Sequence, residues 1–407
     1  MGRLMKALYG TRDAPQLWAA ELKKVMAGLG FTPSLLHPGI FQHNVRGVLV
    51  VAHVDDLLMA GPEIELEWTR TQLHNIFEIK GSMLSKTNPV KYLGRLITET
   101  DEGFTWEADT KHVNILIDEL GLRGANGTKV PLSADDRPVH DEDRAPLDVQ
   151  AATMFRRCAA RLNYLCQDRP DIGISSNLLS RSMSCPREGD ELMVKKVARY
   201  LIFHPVCRLT FPWQNDPKAI TVMTDSDWAG CRRTRRSTSG TAIFLGKHLL
   251  SFSSKIQKSV ALSSGEAELN AQVLGISEGI GMQRLCREWG CEVLLASRCD
   301  SSAARGTLLR QGLGKMKHLE LKHLWTQELV ARGKVSIKCI PRADNPADVL
   351  THTVSRSELE RLLGLMGIEF PTATTAGGSL AEGGCWGSTV PSPTSCTAAT
   401  LWYKCPV

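Results

Sequence analysis

A single stretch, Ile220 to Glu268, constrains the fold more than any other part of the chain. It opens with an apolar, β-branched run ending in Asp225, continues through two more strand-like runs, Gly240 to Leu245 and His248 to Ser254, and closes on Glu266 at a helix start. Short β-branched runs punctuated by turn residues read as strands. The stretch is therefore a three-strand meander that delivers one carboxylate at a strand end and another at a helix N-terminus. Two further acids, Asp300 and Asp348, each lie at the edge of a short apolar segment. Carboxylates from four separate elements can thus converge. Such a cluster stays ionised only beside cations, and oxygen-only ligands favour Mg²⁺ or Mn²⁺. Two ions about 3.5 to 4 Å apart stabilise the attacking and leaving oxygens of an in-line phosphoryl displacement, so nuclease chemistry is the expectation.

Charge supports that expectation locally rather than globally. A formal charge of +6 over 407 residues is a weak argument for a nucleic-acid partner. Between Cys231 and Lys258, however, Arg232, Arg233, Arg235, Arg236, Lys247, Lys255 and Lys258 occur with no acid among them. Flanked by Asp225 and Glu266, this run reads as a phosphate-backbone track rather than only a solvated face. The 12 cysteines are irregularly spaced with no C-x-x-C pair, which argues against a zinc site or a disulfide framework. No leader-like or membrane-spanning apolar run is apparent, so a soluble intracellular chain, cytoplasmic or nuclear and not secreted, is expected. Its length suggests two to three domains, and 43% hydrophobic residues suffice for sizeable cores.

The first hundred residues hold a second acidic feature. Ala14 to Leu29 carries Leu17, Trp18, Leu22, Val25, Met26 and Leu29 at helical spacing and ends at Gly30. Two strands follow, Gly39 to His43 and Gly47 to Val54, and then Asp55-Asp56 precedes another apolar run, Leu57 to Ala60. Neighbouring residues point to opposite faces of a strand, so both acids serve one site only from a turn. A hairpin with Asp55 and Asp56 at its tip is expected. Glu63 to Ile79 is again helical, with Leu66, Leu73, Ile76 and Phe77 to be buried.

These segments carry a resemblance. LMKALYGTRDAPQLW followed by GVLVVAHVDDLLMAG resembles the second half of the reverse transcriptase palm in copia-type LTR retrotransposon Pol polyproteins. The resemblance implies that Asp55 and Asp56 are two polymerase metal-binding aspartates, and that Leu8 to Pro15, with Tyr9 and Arg12, lines a nucleotide pocket. His53 stands where the family has tyrosine. The family's first catalytic aspartate lies upstream of the segments matched, so Asp55 and Asp56 alone are not expected to polymerise DNA. Thr224 to Gly230, Ser237 to Gly240, Ser254 to Gln257, Val260 to Ser264 and Glu266 to Glu268 resemble, in order, the ribonuclease H domain of the same family.

Within that domain the resemblance implies Asp225, Glu266, Asp300 and Asp348 as the acids holding two Mg²⁺ (or Mn²⁺) ions. Glu266 and Glu268 lie about 200° apart on a helix, so one of them faces the site. The resemblance favours Glu266, although Ser263-x-x-Glu266 is also a capping box. Ser301 replaces the family's asparagine, and His352 its usual lysine. His318 would contact the hybrid, and small groups near Ser237 to Ser239 would read 2′-hydroxyls. The segment Pro341 to Pro346 contains no histidine, so a general-acid histidine in that loop is not expected.

The expected architecture is α+β/α/β. A partial palm (1–98) is followed by thumb and helical connection (99–215, with an exposed linker near 123–149), a ribonuclease H-like mixed five-stranded sheet with flanking helices (216–365) and a flexible low-complexity tail (366–407). The expected partners are RNA/DNA hybrid, template-primer nucleic acid and other parts of a Pol polyprotein, with no membrane. The expected activity is metal-dependent cleavage of RNA in hybrids. The alternatives are a degenerate copy that binds nucleic acid without cutting it, and a polymerase completed in trans by another chain.

Overall fold

A computed structural model describes residues 11–136, 144–312, 314, 321–371 and 398–404, the last of these as backbone. The chain divides into two compact units, 1–106 with 373–407, and 107–372.

The first unit is built on a sheet. Its helix α1 (Ala14–Gly28) starts with proline in its first turn, where a missing N–H costs nothing, and buries Leu22 and Met26. Leu17, expected inside, is exposed. Strands β1 (Thr32–Pro33), β2 (Ile40–His43), β3 (Val48–His53) and β4 (Asp56–Pro62) run antiparallel in sequence order, and α2 (Glu63–His74) packs on them through Leu66 and Leu73. Strand β5 (Lys80–Met83) is followed by β6 (Val90–Tyr92), β7 (Arg95–Thr100) and β8 (Gly103–Glu107). Alternate residues of β3 and β4, Val48, Val50, Leu57 and Met59, are fully buried beneath the helices. Ile76 is exposed, since α2 ends two residues before it.

In the second unit, α3 (Lys111–Glu119), α4 (Val149–Leu165), α5 (Gly173–Ser180) and α6 (Glu188–Phe203) form a helical layer, followed by strand β9 (Arg208–Pro212). Asp148 caps α4 by accepting hydrogen bonds from the amides of Gln150 and Ala151. Arg169-Pro170-Asp171 makes a buried fork, with Arg169 Nε 3.0 Å from Asp171 Oδ1 and Nη2 2.7 Å from Oδ2. Strands β10 (Ala219–Asp227), β11 (Thr238–Leu245) and β12 (His248–Ile256) form an antiparallel meander. Helix α7 (Ser264–Glu288) then leads to β13 (Leu294–Cys299), α8 (Ser302–Leu309), α9 (Leu321–Ala331), β14 (Ser336–Cys339), α10 (Arg356–Leu365) and β15 (Ile368–Glu369). The five-stranded order is β12-β11-β10-β13-β14, with β13 parallel to both β10 and β14. It is the ribonuclease H-like mixed sheet expected.

Helix α7 lies close on β10 because its facing residues are small. A Cβ on Gly275 would stand 2.7 Å from both Thr224 Cγ2 and Val222 Cγ1, and one on Gly279 would stand 2.6 Å from Val222 Cγ2. Between these glycines and the active end of the sheet, Gln272 bridges the layers, donating to Thr224 Oγ1 and accepting from Ser297 Oγ.

Two boundaries differ from those expected. The first unit extends past residue 98 to 106, and no break falls at 215, because the helical layer and the sheet share one core. Leu162, Val197 and Leu201 from the helices belong to the same apolar cluster as Phe244, Leu249 and Val349. The linker is docked along part of its length: Leu132 is buried, and the amide of Thr128 donates to the Arg199 carbonyl. The tail is not wholly irregular either, since β16 (Ala398–Lys404) enters the first unit's sheet between β4 and β5. Residues 372–397 lie outside the described residues. No described helix is long and apolar enough to cross a membrane.

The α7 contact makes a paired prediction. Gly275→Ala gains helix propensity of about 1 kcal/mol but forces apart two buried side chains, at a cost of about 1–3 kcal/mol, so the variant should lose stability. Gly281, in the same helix with nothing within 4 Å of an added Cβ, should gain up to about 1 kcal/mol on mutation to Ala. Urea unfolding of the two variants measures both signs.

Candidate metal centre at the end of the central strand

Strand β10 carries Asp225 near its C-terminal end, and its parallel neighbour β13 runs directly into Asp300. Carboxyl ends of adjacent parallel strands are where an α/β sheet exposes its crevice. Facing them is Glu268, one turn before Gln272 on the side of α7 that meets the sheet. Both the amide and the hydroxyl of Ser226 donate to Glu268 Oε1, each at 3.0 Å. Asp225, Glu268 and Asp300 each place a carboxylate oxygen within 4.8 Å of the others.

The fourth acid arrives on a short 3-10 helix, Pro346–Leu350. Asn345, fully buried, donates from Nδ2 to the Thr224 carbonyl on β10 and accepts from the Ala347 amide through Oδ1, so one side chain both caps the turn and pins it to the central strand. This brings Asp348 alongside Asp225, with His352 one turn later; these three also bring ligand atoms within 4.8 Å of one another. Thr351 donates its hydroxyl to Asp225 Oδ2. Gly240 on β11 is needed for the approach, because a Cβ there would stand 2.7 Å from the Ala347 carbonyl oxygen.

Electrostatics set the demand for a cation. Burial raises the Asp225 carboxyl above its ordinary range and the neighbouring Asp348 and Asp300 add to the rise, against the Thr351 hydroxyl and His352, which lower it. Burial likewise raises Glu268, with Asp225 and Asp300 adding to it against the Ser226 donors. Among the described residues, Glu268 Oε2 and Asp348 Oδ1 are buried and accept no hydrogen bond. Buried carboxylate oxygens without a proton donor are costly. A divalent cation satisfies them, and the Asp225, Glu268 and Asp300 donors are the all-oxygen set that suits a hard one.

The expected residues are distributed as follows. Asp225, Asp300 and Asp348 come together, while Glu266 does not join them. Its Oε2 accepts from the Leu262 amide and its own amide donates to Ser263 Oγ, so it is held at the N-terminal cap of α7. Glu268, two residues on and about 200° around the helix, takes the facing position. Asp227 is buried and accepts from the Thr238 amide, beside Gly230, where a Cβ would stand 1.9 Å from Asp227 Oδ2. Ser301 caps α8 by accepting from the Ala304 amide, which holds the chain just after Asp300.

Ser237, Thr238 and Ser239 are buried, their hydroxyls accepting from the Ala229 amide, Arg181 and Gln257, so these side chains do not read a substrate. Arg232, Arg233, Arg235, Arg236 and Lys258 are exposed, as a phosphate track requires. Lys255 is also exposed, but Glu278 holds it at 2.7 Å. Arg12 is exposed just before α1, while Tyr9 and His318 lie outside the described residues. Asp55 and Asp56 stand at the β3–β4 turn as expected, where His53 pairs with Asp56 and the indole of Trp18 donates to the Val54 carbonyl. Asn345 and Thr351 were missed by sequence reasoning, and Glu268 was weighed there but passed over for Glu266. Only Glu268 left a signal, since Gln272, Gly275 and Gly279 follow it at helical spacing on one face.

By fold and site, the chain is of the nucleic-acid-processing class that joins a reverse transcriptase palm to a ribonuclease H-like sheet. It belongs to the copia-type retrotransposon Pol family. A sequence profile described as reverse transcriptase (RNA-dependent DNA polymerase) matches residues 1–134. The Pol polyprotein from transposon RE1 of Arabidopsis thaliana is 26% identical over 374 residues, 90% of this chain and 25% of that protein. An uncharacterized mitochondrial protein of Arabidopsis thaliana is 30% identical over 235 residues, 56% of this chain and 92% of its own length. The chain thus spans about a quarter of the length of the curated Pol polyproteins it matches. Among solved structures, a foamy viral protease-reverse transcriptase in complex with RNA/DNA hybrid aligns with a TM-score of 0.47 at 10% identity, covering 83% of this chain and 39% of that one.

The raised carboxyls fix a pH dependence for the metal-free protein. Where the folded carboxyl holds its proton to a higher pH than the unfolded one, the native state binds more protons, and stability falls as pH rises above about 4, the unfolded carboxylate value. Asp225→Asn should therefore raise the metal-free thermal midpoint at pH 8 and flatten its pH dependence, by about 1 kcal/mol. Adding Mg²⁺ should raise the midpoint of the unaltered chain and leave that of Asp225→Asn nearly unmoved, as thermal scans with MgCl₂ against EDTA will show.

Proposed function

We propose that the chain cleaves the RNA strand of RNA/DNA hybrids at the Asp225, Glu268, Asp300 and Asp348 cluster with Mg²⁺ or Mn²⁺ as cofactor. The observation that carries this reading is the convergence of the four acids, with Glu268 Oε2 and Asp348 Oδ1 buried and lacking a hydrogen-bond donor among the described residues. When bound, divalent cations supply Lewis-acid stabilisation to the attacking and departing oxygens of a phosphodiester.

The chain's own residues prepare that chemistry. Ser226 and Thr351 orient Glu268 and Asp225 by hydrogen bonds, and Asn345 holds the turn that carries Asp348. Asp225 belongs to both acid groups, so its position fixes both. The exposed Arg232, Arg233, Arg235 and Arg236 follow β10 and offer guanidinium forks to phosphates. In the first unit, the Asp55–Asp56 tip is the palm's contribution to template-primer binding. Other segments of a Pol polyprotein are the protein partners this reading implies.

Incubating a labelled RNA/DNA hybrid with the purified chain in Mg²⁺, and again in EDTA, tests the proposal. RNA-strand cutting should be metal-dependent and should fall by more than about 100-fold in Glu268→Gln, as loss of a group supporting a metal site does. Glu266→Gln should keep cutting within a few-fold and change stability by less than about 0.5 kcal/mol, because its carboxamide oxygen can still accept from the Leu262 amide. Binding without cutting by the unaltered chain would instead favour a nucleic-acid binder that has lost the reaction. Replacing Arg235 and Arg236 by Ser should weaken hybrid binding whatever its sequence and reduce the salt slope by roughly 2.

A further inference from the structure

On the face of the sheet turned away from α7 lies a cleft of about 500 Å³ that the acid cluster does not use. Strand register sets its floor. Thr221 pairs with Phe244 on β11 and Met223 with Arg298 on β13, so these four side chains share one face, while Val222 and Thr224 meet α7. Lys247 in the β11–β12 turn, Leu365 at the end of α10, and Asp344 and Pro346 line it further. We infer that this cleft binds a nucleoside monophosphate, with the phosphate at Arg298 and Lys247 and the base against Met223, Phe244 and Leu365. The binding needs neither the acids at Asp225 nor their cations.

An unpaired cation is the first support. Arg298 is half-buried, and its Nε, closed off from solvent, donates no hydrogen bond among the described residues. Buried Arg169, by contrast, forks onto Asp171. A guanidinium N–H shut away from water without an acceptor is costly, and a phosphate supplies oxygens that match its planar fork. Lys247 adds a second charge. It follows the eight residues of β11, a strand of roughly 25 Å, and so lies apart from the run Arg232 to Arg236 that precedes the strand. On β14, exposed Lys338 is the cross-strand neighbour of Arg298 and deepens the positive potential on this face.

The remaining lining narrows the ligand. The cleft's volume falls within the roughly 300–1,000 Å³ of small-molecule sites, far more than inorganic phosphate fills. Met223, Phe244 and Leu365 offer an apolar wall, and Leu365 is 46% exposed with nothing covering it among the described residues. Asp344 is the one acid among the lining residues. An ionised carboxylate only accepts hydrogen bonds and repels a second acid, so the ligand's other end carries N–H or O–H donors. An anion joined to an apolar ring edged with such donors is a nucleotide. The frame is also preformed. Arg361 of α10 donates to the Ala343 carbonyl, and Asn345 donates to the Thr224 carbonyl, which pins the Asp344 turn between helix and strand.

Isothermal titration calorimetry of the EDTA-stripped chain with AMP, adenosine and inorganic phosphate tests the assignment. One equivalent of AMP should bind, with adenosine and inorganic phosphate each at least tenfold weaker. Arg298→Gln, checked for folding by circular dichroism, should weaken AMP at least tenfold, whereas replacing Arg235 and Arg236 by Ser should leave it within twofold. Photolabelling of the unaltered chain with 8-azido-AMP needs no variant and should mark the peptides that contain Phe244 or Leu365. No AMP binding, inorganic phosphate bound as tightly as AMP, undiminished binding in folded Arg298→Gln, loss of binding with Arg235 and Arg236, or labelling confined to other peptides would overturn the inference. Cleavage is not part of the readout, so a chain that binds AMP in this way but never cuts a hybrid upholds the cleft and defeats only the nuclease reading.

Discussion

The close contact between α7 and β10 decides how much of the second unit can be assembled. Gly275 and Gly279 let a helix backbone approach the central strand to within a distance that any side chain would prevent. Gln272 then hydrogen-bonds across the narrowed gap to β10 and β13. Glu268 follows as the next residue on that face, and its carboxylate reaches Ser226 only because the helix lies so low. The site's third carboxylate is thus set by two residues that have no functional group at all.

Two kinds of buried charge occur in this unit, and they are treated oppositely. Arg169 and Asp171 neutralise each other in a two-pronged pair sealed from water. Desolvation disfavours the Arg169 charge, but Asp171 outweighs it and the guanidinium stays protonated. Around Asp225 the charges share one sign, and only hydroxyls, an amide and a half-exposed histidine moderate them. The first arrangement is complete within the protein and serves packing. The second is incomplete until something positive enters, which separates a structural ion pair from a binding site by a physical criterion rather than by position in the fold.

Much of this was legible in the residues. The β3–β4 hairpin with Asp55 and Asp56, helix α1 and the meander β10 to β12 follow from periodicity and turn chemistry, which act over a few residues. Glu266 was favoured by the resemblance, whereas the choice between it and Glu268 depends on which face of α7 meets the sheet, a tertiary fact. Asn345 was invisible for a similar reason: a lone asparagine before proline reads as turn chemistry, and its second bond reaches a carbonyl on a strand far away in sequence. The division at 215 followed the start of the ribonuclease H resemblance, whereas the apolar residues on either side of it form one core. The strand at 398–404 was hidden by the polar, glycine-rich sequence before it, since a strand needs a neighbour's ladder more than its own propensity.

That last strand has a consequence for assembly. Its antiparallel ladder to β4 joins parts of the chain separated by the whole of the second unit. During vectorial synthesis the second unit's residues all emerge before this ladder can close, and closing so long a loop is entropically slow. Until then the β4 side of the hairpin that bears Asp56 is an open edge, the kind of template on which foreign strands pair. The first unit is therefore the late-maturing part of the molecule, and its exposure to misassembly lasts as long as the chain takes to be made.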